Sequence, residues 1–138
     1  QNSILTPHPK EFERIAGTSK NHYERNILAM DFAKKYEVYL VLKGAYTRIC
    51  CPDGKCYINT TGNPGMATGG SGDVLTGMIL SLLAQGYSEL QACKLGVYLH
   101  GLAGDIAAKQ FGVISMLPSD LINNISNIFK TVFEKSKF

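Results

Sequence analysis

Apolar side chains recur every three or four residues in several stretches of the chain, the spacing that places them on one face of a helix. This spacing predicts a short helix that opens at Glu11 and stops near Gly17, and longer helices over 23–36, from Gly70 or Ser71 to about 85, from Ser88 to about 111, and over 118–133. Gly86 is a typical helix stop and Ser88 a typical N-cap, because glycine adopts left-handed conformations and a serine hydroxyl accepts from the first helical turn.

Short apolar runs between these helices are typical of strands. Ile4–Thr6 is predicted to end one strand, and the prolines that follow fix an extended loop around His8. Residues 38–42 are apolar at nearly every position, which indicates a strand of a parallel sheet buried on both faces. Residues 47–51 and 55–59 flank a Pro-Asp-Gly-Lys turn and predict a β-hairpin. Helix followed by buried strand favours a layered α/β domain.

The composition is that of one globular domain. The chain has 138 residues, of which 45% are hydrophobic and 18% charged, enough for one small core. Its net charge of +3 is scattered, without a basic stripe of interleaved aromatics, so nucleic-acid binding is not indicated. Apolar runs are too short to span a membrane and no signal-peptide pattern is present, which predicts a cytoplasmic protein without membrane contacts.

Four cysteines are present, and two of them, Cys51 and Cys56, flank the predicted hairpin turn. We expect these two side chains to face each other across the strands. A disulfide between them or a metal site that includes Cys50 would suit that placement, although no paired Cys-x-x-Cys zinc pattern is present. Packed, reduced thiols are favoured, because cytosolic proteins keep cysteines reduced.

The strongest chemical signal is the glycine-rich segment Asn63–Gly77, which leads into the helix that begins at Gly70 or Ser71. A helix start preceded by glycines is an anion site, because unpaired N–H groups point outward and the helix dipole adds positive potential. Asp73 in the first turn is either a carboxylate stabilised by the dipole or a base beside a bound phosphate. The entropic cost of several adjacent glycines favours phosphate chemistry. The segment is neither a Walker A loop nor a complete GxGxxG fingerprint.

The stretch NPGMATGGSGDVLTGMI closely resembles the C-terminal half of the ADP/ATP-dependent NAD(P)H-hydrate dehydratases, which repair hydrated nicotinamide cofactors and have a ribokinase-like fold. TPHPKEF, VLKGAYT, LGVYLHGLAGDIAA and SDLI extend the resemblance over nearly the whole chain. It implies a layered α/β/α domain with a mostly parallel sheet and a β-hairpin. Residues 1–138 would be the C-terminal part of the dehydratase domain, an incomplete domain whose partner is the N-terminal half or another copy of the chain.

The resemblance also implies a reaction. The terminal phosphoryl group of ADP or ATP would move to the hydroxyl of the 6-hydrate of NADH or NADPH, and phosphate would then leave. Mg²⁺ would bridge the phosphates of the nucleotide. Asp73 would be the catalytic base that binds the substrate hydroxyl, and His8 would contact the hydrated cofactor. Glu11 resembles, more loosely, an acidic residue near magnesium in related kinases.

Two groups of residues would bind the nucleotide by the same resemblance. The first group holds the adenylate part and consists of Lys43, Gly44, Ala45, Tyr46 and Thr47, with a positive charge from the lysine and a hydroxyl from the threonine. The second group offers backbone amides to the phosphoryl group and consists of Gly69, Gly70, Ser71 and Gly72.

Several residues have simpler interpretations that the sequence leaves open. Lys43 is equally a solvated lysine at a strand end, His8 a surface loop residue and Glu11 a first-turn capping acid. His100 and Asp105 lie five residues apart, a poor spacing for a metal pair or a dyad, and we interpret His100 as structural. For the chain as a whole, the alternatives are a ribokinase-like kinase of a vitamin precursor or sugar, and a non-catalytic half-domain that binds adenylate.

Overall fold

The structure is a computed structural model that describes residues 3–133, with side chains described through Lys130. Its elements are β1 (Ile4–Leu5), α1 (Pro9–Ala16), α2 (His22–Tyr36), β2 (Tyr39–Leu42), β3 (Arg48–Cys50), β4 (Cys56–Ile58), a 3₁₀ turn (Pro64–Met66), α3 (Ser71–Ala84), α4 (Glu89–Phe111) and α5 (Pro118–Phe133). Each predicted helix and strand is present, although α1 begins before Glu11 because His8 is its N-cap and Pro9 its first residue. In residues 3–133, no helix has the length and apolar character needed to cross a bilayer.

The four strands form one sheet in the order β1-β2-β3-β4. β1 pairs with β2 in parallel, whereas the β2–β3 and β3–β4 pairs are antiparallel. The expectation of a mostly parallel sheet is therefore wrong for the described strands. The reason is the short connection from Leu42 to Arg48, which is too short for the crossover that a parallel neighbour requires.

Helices cover both faces of the sheet. Leu40 and Leu42 of β2 pack in the apolar cluster that includes α1 and α2, whereas Val41 packs with α3 and α4. Successive side chains of a strand point to opposite faces, and all three of these are buried, as predicted for residues 38–42. The layered α/β/α class is therefore confirmed.

A third apolar cluster joins α4 and α5. Leu121 and Ile128 of α5 are buried in it, as predicted. Ile122 and Phe129 are 54% and 42% exposed, so only one side of the predicted apolar stripe is core. Asn124 lies buried on the core side, where its amide donates to the Asp120 carbonyl and to Gln110 Oε1. The side chains of Val132 and Phe133, which were predicted for the same stripe, lie outside the described residues.

The hairpin register places Cys50, not Cys51, opposite Cys56. The expectation that Cys51 faces Cys56 is wrong because the turn has three residues and the Cys51 N–H donates to the Lys55 carbonyl. Gly54 ends this turn with a φ of 84°, a conformation that glycine adopts without strain. The thiols of Cys50 and Cys56 are free, with their sulfur atoms 3.7 Å apart, and Cys51 is buried against the other face.

Phe12 supplies a test of the layer formed by α1 and α2. Its side chain is fully buried and meets the ring of Phe32 edge-on at 5.6 Å between centroids. We expect Phe12→Ala to lower the free energy of unfolding by about 3–5 kcal/mol, because the substitution leaves a cavity. Urea denaturation measures the change. Ile15→Ala on the same helix is the matched control, since Ile15 is 54% exposed, and equal losses for the two variants would contradict this packing.

Candidate functional site

A cavity of about 730 Å³ opens at the carboxyl end of β2, the edge at which open α/β sheets bind ligands. Its walls come from the loops after β1, β2 and β4, the start of α3 and one face of α4. The predicted site residues among its walls are His8, Lys43, Gly44, Ala45, Tyr46, Thr47, Ser71 and Gly72. Most of the residues assigned to nucleotide binding therefore meet at one cavity, whose volume lies in the range of small-molecule sites.

The start of α3 has the free amides of an anion site. Gly70 is its N-cap, with a φ of 93° and no side-chain cap. Within the described residues, the N–H groups of Gly70 and Gly72 have no backbone partner, whereas the Ser71 N–H donates to the Thr68 carbonyl at 3.3 Å. Lys43 Nζ lies 2.9 Å from the point where a Cβ on Gly72 would be. An ammonium group and a helix start thus add positive potential at the same end of the cavity.

The turn after β2 is closed by the Thr47 hydroxyl. This hydroxyl accepts from the Gly44 N–H at 3.3 Å and donates to the Gly44 carbonyl at 3.1 Å. It therefore braces the turn, and its predicted contact with the nucleotide stays a prediction. The Lys43 N–H donates to the Pro7 carbonyl at 2.9 Å, which ties the turn to the loop after β1. Tyr46 is 63% exposed and lines the cavity, so its ring is open to a ligand.

His8 and Glu11 cap α1 reciprocally. The Glu11 N–H donates to His8 Nδ1 at 3.2 Å, and the His8 N–H donates to Glu11 Oε2 at 2.7 Å. The bond from the His8 N–H lowers the pKa of Glu11, and Lys43 Nζ lies 3.9 Å from Glu11 Oε2. The capping interpretation of Glu11 is confirmed. Among residues 3–133, no three His, Cys, Asp or Glu side chains are grouped so that they could hold a metal ion, and the metal role of Glu11 stays a prediction.

Asp73 lies in the first turn of α3 and is exposed. Its carboxylate has no hydrogen-bond or ion-pair partner in the part of the chain that the structure describes. Four predicted site residues do not line the cavity formed by the described residues: Asp73, Glu11, Gly69 and Gly70. The cavity thus gathers His8 and most of the residues assigned to the nucleotide, whereas the predicted base, which follows Gly72 directly in the chain, is not among its walls.

One face of α4 holds the segment over residues 61–72, which includes the first part of the glycine-rich stretch, and this contact was not predicted. At the beginning of the segment, Asp105 accepts from the Gly62 N–H at 3.0 Å and from the Asn63 side-chain amide at 3.1 Å. At its end, the buried His100 places Nε2 2.9 Å from the Ser71 carbonyl oxygen. The five-residue spacing is poor for a dyad, but it lets each side chain hold a different part of one loop.

Two glycines of α4 let this loop approach closely. A Cβ at Gly101 would collide with Thr61, and a Cβ at Gly104 would collide with Met66. One face of α4 carries two adjacent rows of residues, His100 with Gly104 and Gly101 with Asp105. That grouping is the sequence signal that could have identified the contact of this face with the loop.

The NAD(P)H-hydrate dehydratase family model matches residues 1–127 of the chain. Among curated proteins, the bifunctional NAD(P)H-hydrate repair enzyme of Moorella thermoacetica is 48% identical over 96% of this chain and 25% of its own length. The ADP-dependent (S)-NAD(P)H-hydrate dehydratase of Bacillus subtilis is 38% identical over 92% of this chain and 47% of its own length. The chain therefore spans between a quarter and a half of the length of these relatives.

Solved structures are similar as well. The Bacillus subtilis ADP/ATP-dependent NAD(P)H-hydrate dehydratase co-crystallised with ATP and Mg²⁺ matches with a TM-score of 0.87 and 37% identity, over 93% of this chain and 47% of that one. The ribokinase of Arabidopsis thaliana complexed with ribose and ATP matches with a TM-score of 0.54 and 16% identity, over 89% of this chain and 40% of that one. A likeness at that identity shows the fold alone. The expected ribokinase-like fold is confirmed.

The two bonds of Asp105 can be tested by hydrogen exchange. We expect Asp105→Ala to speed exchange of the Gly62 amide roughly 10- to 100-fold, because a hydrogen bond to a charged acceptor contributes about 1.5–3 kcal/mol. Asp105→Asn should have a smaller effect, because its carbonyl can still accept from Gly62. Lys109→Ala, on an exposed position of the same helix, is the control. Unchanged exchange at Gly62 in Asp105→Ala would show that Asp105 does not hold the loop.

Proposed function

The chain belongs to the NAD(P)H-hydrate dehydratase family, and from this premise we propose that its cavity binds ADP or ATP for the dehydration of hydrated NADH and NADPH. In this reaction the terminal phosphoryl group moves to the hydroxyl of the 6-hydrate, and departure of phosphate restores the nicotinamide double bond. The observation that carries the proposal is the placement of Lys43 Nζ over Gly72, at a glycine-capped helix start that borders the cavity.

In this proposal, the terminal phosphates lie at the start of α3. The N–H groups of Gly70 and Gly72 and the Lys43 ammonium stabilise negative charge on the transferring group. Glycine at position 72 leaves room for Lys43 Nζ beside the helix start, because a Cβ there would lie 2.9 Å from it. Ser71 contributes less through its N–H, since that group already donates to Thr68.

Mg²⁺ arrives with the nucleotide. Glu11 is the acidic side chain beside Lys43, and its carboxylate is already engaged by the His8 N–H and by Lys43 Nζ. Mg²⁺ is usually held by substrate phosphates and waters with only one or two carboxylates. The described residues would therefore suit a metal coordinated chiefly by the phosphates of the nucleotide.

The adenylate part lies along the turn at residues 43–47. Gly44 permits close approach of the ligand to the backbone, and the Thr47 hydroxyl keeps the turn closed. The exposed ring of Tyr46 at the cavity wall offers a surface on which the adenine base stacks.

The hydrated nicotinamide approaches from the open side of the α3 start. His8 Nδ1 accepts from the Glu11 N–H, so in the neutral ring Nε2 carries the proton, and this group, which lies 3.4 Å from Glu11 Oε1, donates to the substrate. The carboxylate of Asp73 is free to accept the proton of the substrate hydroxyl as the phosphoryl group moves. Asp73 is exposed in the described residues. Its surroundings are therefore completed by a second copy of the chain, or by a portion that corresponds to the part of the relatives outside the match.

Replacement of Asp73 by Asn tests the assignment of the base. We expect turnover of NADH hydrate to fall by at least about a hundredfold, because a positioned general base contributes roughly 10²–10⁴ to the rate. The dissociation constant of ADP should change little, since Asp73 lies outside the cavity walls. The return of NADH absorbance with ADP or ATP measures turnover, in this chain and in a version that carries the whole dehydratase domain.

Asp53→Asn is the matched control for this experiment, because Asp53 is an acidic residue in the hairpin turn, bonded to Lys55 and outside the cavity walls. Full turnover in Asp73→Asn would refute the base assignment. A stable phosphorylated product would favour the kinase alternative. Nucleotide binding without turnover, even with the whole domain, would favour the non-catalytic half-domain.

A further inference from the structure

His100 is a buried titratable group at the cavity that the proposed mechanism leaves without a role. Its side chain lines the cavity from α4, and the residue is 8% exposed. Nε2 lies 2.9 Å from the Ser71 carbonyl oxygen and 3.5 Å from Ser71 Oγ. A carbonyl oxygen only accepts hydrogen bonds, so Nε2 carries a proton and donates it to Ser71.

We propose that His100 is a positioning residue that fixes the start of α3 for the phosphates of the nucleotide and takes up a proton when they bind. This inference rests on the nucleotide site proposed above. The positioning role follows from the contact itself, because Ser71 is the first residue of α3 and lies directly before Gly72, whose N–H has no backbone partner within the described residues.

Protonation of His100 leaves this contact intact. Nε2 keeps its hydrogen in both the neutral ring and the imidazolium, and the added proton goes to Nδ1. The bond to the Ser71 carbonyl therefore persists across the titration. What changes is the charge at the wall of the cavity, which rises by one unit.

The charged group that acts on His100 is Lys43, in the loop after β2. Of the helices that pack on α4, α3 carries Asp73 and α5 carries Asp120, and α4 itself carries Asp105. Asp105 and Asp120 are engaged elsewhere, by the Gly62 and Leu117 N–H groups. Burial lowers the pKa of His100 and the positive charge of Lys43 lowers it further, although the bond to Ser71 opposes this shift. In the protein without nucleotide, His100 is therefore neutral at pH 7.

A bound phosphate shifts this balance toward the imidazolium. Its negative charge offsets the Lys43 ammonium and the positive end of the α3 dipole, which disfavour an imidazolium at this position in addition to burial. The pKa of His100 then rises, and the complex binds more protons than the free protein at intermediate pH. By linkage, the affinity for ADP increases as the pH falls from the pKa of His100 in the complex to its pKa in the free protein.

Titration of the histidine ring protons by NMR tests the proton uptake directly. The chain has three histidines, and the signal missing from His100→Gln identifies His100. We expect ADP to raise the pKa of His100 by about half a unit or more, which corresponds to roughly threefold tighter binding at low pH. His100→Gln should lack this pH-dependent gain in affinity. The phosphate of ADP titrates with both proteins, so its contribution cancels when the two proteins are compared. An unchanged or lowered pKa on ADP binding would overturn the proposal.

The positioning role has its own readout in the dissociation constant of ADP at pH 7.5. His100→Gln keeps an N–H donor for Ser71 and should remain within about threefold of the unmodified chain, whereas His100→Ala should weaken binding about tenfold, the effect of one lost hydrogen bond. Equal affinities for the Ala and Gln variants would overturn the positioning role. If His100→Ala does not fold, the Gln variant and the NMR titration still decide the proton uptake.

Lys43→Met separates failure of this inference from failure of the nucleotide site. Suppose that Lys43→Met loses ADP affinity but that ADP leaves the pKa of His100 unchanged in the unmodified chain. This result would overturn the inference and leave the nucleotide site standing. Absence of ADP binding to the unmodified chain, or full binding to Lys43→Met, would overturn the proposed phosphate site and the inference with it.

Discussion

The loop over residues 61–72 can lie against α4 only because that helix carries no side chain at Gly101 and Gly104, where a Cβ would collide with Thr61 and Met66. A loop that contains several glycines loses much conformational entropy when it becomes ordered. The bonds from Asp105 and His100 at its two ends help to offset that loss. The direction in which the α3 start points is thus determined by one face of a neighbouring helix.

That helix is itself fixed from two sides. Val97 belongs to the apolar cluster between the sheet and α3, whereas Leu99 and Ala103 belong to the cluster with α5. Because α4 is shared by both clusters, the loop rests on the best-packed element of the described fold. A site built on a rigid element holds its geometry better than one built on loops alone. Core substitutions in α5 should therefore reach the start of α3 through α4 and also through Pro118, which lies against Gly70.

The features that the sequence predicted correctly are those whose signals lie within a few residues. The Ser88 N-cap, the start of α3 at Ser71 and the hairpin turn at Gly54 all depend on local backbone preferences. The register that pairs Cys50 with Cys56 depends on turn length, which a Pro-Asp-Gly-Lys pattern does not determine to one residue. The contact of Asp105 with Gly62 joins residues 43 apart, and no local pattern indicates which distant backbone group a helical aspartate will bind.

Glu11 lies beside the proposed phosphate site, and its carboxylate is already engaged within the protein. Its carboxylate is fixed by the His8 N–H, and it lies 3.9 Å from Lys43 Nζ, with its side chain 47% exposed. A partly exposed pair at that distance contributes little to stability. The Lys43 ammonium can therefore leave Glu11 and bind a nucleotide phosphate with little loss of free energy. Lys43 Nζ lies beside both Glu11 and Gly72. Within the described residues, the carboxylate proposed as the base has no partner, as a residue that must accept a proton requires.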